Sequence, residues 1–269
     1  MSARMGSARS MLMLFSRAAR GSMAKAAAYR GDFIVGLVVA LLFEFLTPLA
    51  TILIYRSSAM TGFPGWKMEE VLVLQAVFLI SRGIAFPLFF GLVWVVFESV
   101  REGRFELILL RPRSPLLVAL SQGLDMPGFV RLLGGLALLL WSAGRMGGIQ
   151  ARSILPFLLM LGLSALTLFS CALFMAGSLF VWVGNSRVSE LLDSILLFAQ
   201  YPGSIFSSGL QLVLAAVVPV SMVALFPAEV LLGRPDALVL PGIGASLAFF
   251  ALGLGFWNFM RGKYAGAGG

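Results

Sequence analysis

Apolar residues along this chain fall into long continuous blocks divided by short polar or Gly/Pro-rich joints. The blocks run from about Phe33 to Ile54, Val71 to Phe97, Pro127 onward, Ile154 to Val183, Ser208 to Phe226 and Leu238 to Phe259. Continuous apolar runs of about 18 residues or more mark helices surrounded by lipid, whereas strands of a membrane barrel would alternate. In a bilayer core the backbone must satisfy its own hydrogen bonds, so the pattern specifies an all-α, polytopic membrane protein with six spans. The second block is about 40 Å long at 1.5 Å per residue, more than a ~30 Å hydrocarbon core requires. Its outer end is therefore expected to project into the headgroups.

The joints carry their own pattern. Residues 1–32 interleave Arg4, Arg9, Arg17, Arg20, Lys25 and Arg30 with Met11 to Phe15 and alanines, which reads as a basic amphipathic helix in the headgroup layer. Before about Ser10 a disordered tail is the alternative. Pro64, Gly65 and Trp66 suit an interfacial turn between the first two spans. A third span beginning at Leu116 would bury Asp125 and Arg131, at about 2.5–3.5 kcal/mol for each charge at the centre of a helix. A start near Pro127 avoids this, lets Arg131 snorkel, and leaves Leu116–Leu124 as a surface helix. Residues 189–200 place Glu190, Asp193 and Ser194 opposite leucines, as in an interfacial amphipathic helix. Pro219 interrupts the fifth block and predicts a kink. The resulting division is an interfacial helix (1–32), a six-span domain (33–259) and a tail (260–269).

Composition sharpens the picture. Of the 269 residues 59% are hydrophobic and 12% charged, and the mean hydropathy is +0.97; soluble domains carry about 25% charged residues. The net charge of +8 reflects cations beside spans, which favours anionic headgroups over nucleic acid as the partner. With both termini inside, thirteen Lys and Arg residues face the cytoplasm, against Arg56, Lys67, Arg145, Arg152 and Arg234 outside. That bias predicts cytoplasmic N and C termini. The absence of His and the single Cys171 leave no expected metal site and no Cys/His or Ser/His/Asp chemistry. No sustained apolar core marks the basic N-terminus as a cleaved signal peptide. Gly262-Lys263 lacks the glycine spacing of a phosphate-binding loop, so no nucleotide site is expected on this chain.

The strongest local signal is Glu98 to Pro115, ESVREGRFELILLRPRSP. Phe105, Ile108 and Leu109 form an apolar stripe, Glu98, Arg101, Glu102 and Arg104 present charge, and Pro112 and Pro115 stop the helix. One reading is an ordinary juxtamembrane loop, the other a coupling helix docked on a cytoplasmic ATPase. The segment resembles the motif after span 2 of bacterial ABC type-2 exporter permeases. Downstream, Phe198 to Phe206, Val218-Pro219 and Phe226-Pro-Ala228 resemble their short six-span subgroup, often paired as non-identical subunits. The resemblance covers nearly the whole chain. It implies an inner-membrane permease without its own nucleotide site, with short outer re-entrant helices between spans 5 and 6. It also implies a second permease subunit and two ATPase subunits that bind ATP and Mg. Contact with the ATPase would fall on Glu98, Arg101, Glu102, Gly103, Arg104, Phe105, Glu106, Leu109, Leu110, Arg111 and Pro112.

Three further residues are candidates for the pathway or an interface. Glu44 lies mid-span, where an ionisable group faces a cavity or partner or is neutralised in packing. Arg82 could pair with it, and Pro219 breaks a span. Gly134-Gly135 and Gly162/Ala165 permit close helix approach, and Trp66, Trp141, Trp182 and Trp257 read as interface anchors. Two other classes remain: an ion-driven carrier, disfavoured by scarce mid-span acids and the lack of repeats, and a membrane assembly subunit that moves nothing.

Overall fold

The computed structural model describes residues 2–57, 62–182 and 187–264, and among these it contains helices and turns but no strand. Residues 58–61 of the first loop, Val183 at the expected end of the fourth span and residues 265–269 of the tail lie outside the described residues. So do the side chains of Arg4, Arg9 and Arg187. The elements are α1 (Ser2–Ala28), α2 (Arg30–Arg56), α3 (Met68–Ala85), α4 (Gly91–Arg101), α5 (Phe105–Leu109), α6 (Pro115–Gln122) and α7 (Val130–Arg145). They continue with α8 (Ala151–Ser178), α9 (Arg187–Leu196), α10 (Ser208–Leu212), α11 (Leu225–Leu231) and α12 (Val239–Arg261).

Among the described residues five helical stretches are long and apolar enough to cross a bilayer: Arg30–Arg56, Met68–Arg101, Met126–Arg145, Ala151–Ser178 and Val239–Arg261. The second joins α3 to α4 through a π-helical turn at Phe86–Phe90 that carries Pro87. A wide turn there accommodates the proline, which lacks an N–H. The Pro87 carbonyl accepts the Asp125 N–H at 3.0 Å, which ties the interruption to the start of the third crossing.

Contacts between elements fix their directions. Arg145 Nε lies 3.9 Å from Glu69 and Tyr55 Oη donates to the Trp66 carbonyl at 2.6 Å. The end of α7, the end of α2 and the start of α3 therefore share one end of the bundle. At the opposite end, Phe105 meets Phe180 and Tyr264 with ring centroids 4.8 and 5.3 Å apart. That end gathers the segment after α4, the turn after α8 and the residues beyond α12. Ser22 Oγ accepts the Met126 N–H at 3.0 Å, and Phe15 packs in the same cluster as Phe105, so α1 lies at this end too. Both described ends of the chain are on one side.

The sixth passage is not where hydropathy placed it. The stretch 208–226, read as a fifth span, is α10 with a π-helical turn to Val217, then an irregular break and α11. Ser208–Val217 rises only ~15 Å, half a hydrocarbon core. The break at Pro219 reaches deep into the bundle, where Ser164 Oγ donates to the Val223 carbonyl at 2.8 Å; the chain then climbs back through α11. This is a re-entrant pair. The crossing is made instead by α9 and the turn Leu197–Gln200, the segment read as interfacial. It leaves the Phe180 end, passes Arg82 at Asp193, and arrives at the far end, where Ser204 Oγ donates to the Pro64 carbonyl at 2.8 Å. From Arg187 to Ser204 the path, mostly helical, rises roughly 27 Å, close to the ~30 Å of a hydrocarbon core. Its polar face disguised it: Glu190, Asp193 and Ser194 are exposed, while Leu196 and Ala199 are buried.

Small residues set the closest helix approaches. A methyl on Gly135 would meet Ile80 of α3, and one on Gly83 would meet the Leu132 backbone. Gly134 faces Leu41 and Phe45, whereas Gly162 faces open space. The tightest approach joins Gly91 at the start of α4 to Gly123 after α6, where any side chain would overlap the opposite backbone. Trp257, expected at an interface, is 1% exposed in the core. Gly91→Ala is expected to destabilise the fold by about 1–3 kcal/mol through overpacking, and Gly162→Ala to leave stability unchanged or slightly raised. Thermal unfolding of the detergent-solubilised variants, followed by tryptophan fluorescence, measures both.

Candidate functional site

The segment after the second crossing is an elbow of two short pieces. α4 ends at Arg101, and Gly103 adopts φ +67°, a left-handed conformation that favours glycine. The Gly103 N–H donates to Val100 at 3.1 Å and the Arg104 N–H to Ser99 at 2.7 Å. These bonds close the helix and turn the chain by its last carbonyls. α5 is then a single turn, shorter than the continuous helix the apolar stripe implied. Ser114 precedes Pro115, which opens α6 rather than ending a helix, in keeping with the preference of proline for the first helical position.

Exposure divides the elbow residues into two sets. Phe105 (0%) and Ile108 (4%) are buried against the bundle. Phe105 sits edge-on to Phe180 and Tyr264, and Phe180 is edge-on to Trp257 at 5.1 Å. One ring of the elbow therefore touches the ends of two crossings. Burial and the nearby Glu106 carboxylate push the Tyr264 phenol up from its ordinary value. The second set faces outward: Glu98, Arg101, Glu102, Arg104, Glu106, Leu109, Leu110, Arg111 and Pro112 are exposed, with Leu107 at 60% and Leu110 at 80%. Glu102 and Arg104 form an ion pair across Gly103. Glu98, Arg104, Leu107 and Arg111 border a depression of about 370 Å³. Leu107 was not singled out in the sequence; its place one turn from Leu110 on the face opposite Phe105 is the signal that marks it.

The intramembrane charges form a second constellation. Glu44 of α2 pairs with Arg131 at the start of α7 at 3.9 Å, not with Arg82 as the sequence suggested. Arg131 is one turn into the third crossing and reaches back to α2 instead of snorkelling free. Arg82 stacks over Phe78 and Phe86, 5.4 and 4.4 Å from the ring centroids, and feels the charges of Glu44 and Asp193. Two acids and two cations from α2, α3, α7 and α9 thus offset one another where lone charges would be costly. Asp193 is the member that the sequence reading placed outside the membrane. Pro219 is buried at the tip of the re-entrant pair. Nearby in α3, Gln75 is 1% exposed and its Nε2 donates to Thr51 at 2.8 Å.

Taken together, a helical bundle of several crossings, a re-entrant pair at one end and a chain-reversing elbow at the other define a multi-pass transport-type membrane protein. A family model described as ABC-2 family transporter protein matches residues 41–268. The chain belongs to that family and is a permease component of an ABC transporter. Comparison with curated proteins and with solved structures gave no match.

Glu44→Gln and Arg131→Gln are each expected to lower stability, by about 1 kcal/mol given that Arg131 is 38% exposed at its side chain. The double variant should lose less than the sum of the two. Strict additivity in thermal unfolding would show that the pair does not interact.

Proposed function

We propose that the chain is the membrane subunit of an ATP-driven exporter of the bacterial inner membrane, paired with a second permease subunit and seated on two ATPase subunits. The observation that carries this reading is the division of the elbow. Phe105 and Ile108 lock it to the bundle, while Leu107, Leu110 and Arg111 present an apolar and cationic surface outward. A rigid element with one face anchored and the other free transmits displacement without dissipating it in local bending. The elbow end is then cytoplasmic, with both termini on that side.

ATP and Mg bind to the partner ATPase. Closure of that dimer displaces the elbow, and Phe105 passes the movement through Phe180, Trp257 and Tyr264 to the ends of α8 and α12. The ATPase must favour one arrangement of the membrane helices by several kcal/mol to change which one predominates. The polar face of α9, with Asp193 and Ser194 exposed beside Arg82, faces the second permease subunit across the pathway. Lining a hydrated path relieves the cost of polar groups on a membrane crossing. The re-entrant tip at Pro219 closes that path toward the outside.

Phe105 and Leu110 separate anchoring from docking. Phe105→Ala removes a fully buried ring and is expected to cost about 3–5 kcal/mol of stability. Leu110→Glu is expected to leave unfolding unchanged and to abolish copurification of the ATPase and transport-coupled ATP hydrolysis. An undiminished ATPase complex in Leu110→Glu would overturn the docking assignment.

A further inference from the structure

At the end of the bundle opposite the elbow, the re-entrant pair and the outer turns enclose a cavity of about 330 Å³. Phe198, Tyr201 and Phe206 from the turns after α9, and Trp66 from the first outer loop, contribute aromatic walls. Phe198 and Phe206 meet at right angles with centroids 5.6 Å apart. Two carboxylates, Glu229 of α11 and Asp236 of the following turn, also line it.

The charge of Arg234 reaches Glu229, but among the described residues no cation forms an ion pair with either carboxylate. Arg234, the cation closest in sequence, is directed elsewhere: it pairs with Glu70 at 3.1 Å, stacks over Trp66 at 4.2 Å and donates to the Gly65 carbonyl at 3.3 Å. Glu229 accepts the Asp236 backbone N–H, yet its Oε2 is enclosed with no hydrogen-bond partner among the described residues. One Asp236 oxygen caps the Leu238 N–H at 2.7 Å. Among the described residues neither acid has a salt-bridge partner. A part-buried pair of carboxylates without an ion-pair partner is costly, and a cation held in the cavity offsets that cost through its charge.

The lining also selects the ligand's chemistry. A divalent metal ion wants six or more oxygen ligands for calcium, or a near-ideal octahedron for magnesium. Among the described residues no group of three or more His, Cys, Asp or Glu side chains comes together. Aromatic faces and a carboxylate pair suit a cation with an apolar surface, which is attracted by ring quadrupoles as well as by charge. The volume is at the lower end of small-molecule pockets.

We propose that this cavity binds a small organic ammonium ion, its charged head on Glu229 and Asp236 and its methyl groups against Trp66, Phe198, Tyr201 and Phe206. Burial first, and then the neighbouring Asp236, push Glu229 up to about 7. The Asp236 backbone N–H and the charge of Arg234 oppose that rise in part. Arg234 is held on Glu70, Glu69 of α3 faces Arg145, and α8 brings only Arg152, whose Nε donates to Gln150 at 2.7 Å. A cation binds the ionised carboxylate, so binding strengthens as pH rises through 7 and is lost below it.

The test is calorimetric titration of the full chain, purified in detergent with whatever subunits accompany it, using choline and its uncharged isostere 3,3-dimethylbutan-1-ol. Choline should bind saturably at pH 8 and about tenfold more weakly at pH 6, and the alcohol should not bind. Glu229→Gln should weaken choline binding at pH 8 at least about tenfold and flatten its pH dependence. No saturable choline binding, equal binding of the alcohol, or equal affinity at pH 6 and 8 would overturn the proposal. Those wild-type comparisons decide it even if the variant does not fold. The site is independent of the elbow, so its failure leaves the exporter reading untouched, and loss of ATPase docking leaves the site untouched.

Discussion

A chain surrounded by hydrocarbon can interrupt its helical hydrogen bonds only where other protein atoms take over the freed groups. That constraint explains where this structure is irregular. The π-helical turn at Phe86–Phe90 is tied to the start of the third crossing, where Asp125 donates to Pro87. The break between α10 and α11 is tolerated because it lies inside the bundle, with Val220, Met222, Val223 and Ala224 buried and Ser164 satisfying the Val223 carbonyl. Each interruption adjoins a distinctive feature of the surface. The first precedes the elbow, and the second forms the floor of the outer cavity.

The same constraint governs the charges. Glu44 and Arg131 face one another, while Arg82 is wrapped by Phe78 and Phe86 and balanced by Glu44 and Asp193. These groups come from four crossings that are far apart in sequence. The cluster therefore ties α2 and α9 to α3 and α7.

Much of the fold was legible because hydropathy reports what lipid touches. The long blocks from Phe33, Val71, Pro127, Ile154 and Leu238 all became crossings. The error at α9 has the opposite origin. Glu190, Asp193 and Ser194 made it look like a surface helix, since nothing local says whether a polar face meets water, headgroups or another subunit. The apolar 208–226 looked like a span because a re-entrant pair is surrounded by protein and hydrocarbon alike. Parity gave no help, because either segment taken as the fifth crossing returns both ends to one side. Of the elbow, glycine and prolines were readable from their backbone preferences. Its two faces were not, because a single helical turn is too short for periodicity to orient. Pairing of Glu44 with Arg131 instead of Arg82 depends on helix register, which no single-sequence pattern carries. The outer cavity assembles residues from Trp66 to Asp236, and its existence required the fold.

The second crossing has a consequence of its own. From Met68 to Arg101 it is 34 residues long, or about 50 Å, so close to 20 Å of it overhangs a ~30 Å core. The rod is braced near its midpoint by Gly83 against Leu132 and further along by Gly91 against Gly123. Glycines thus set both points at which the rod meets its neighbours most closely, and the part beyond Gly91 is the shorter, overhanging arm. Any change of tilt at those two contacts would be magnified along the overhanging length, so the reach of the rod's tip is set by where those glycines fall.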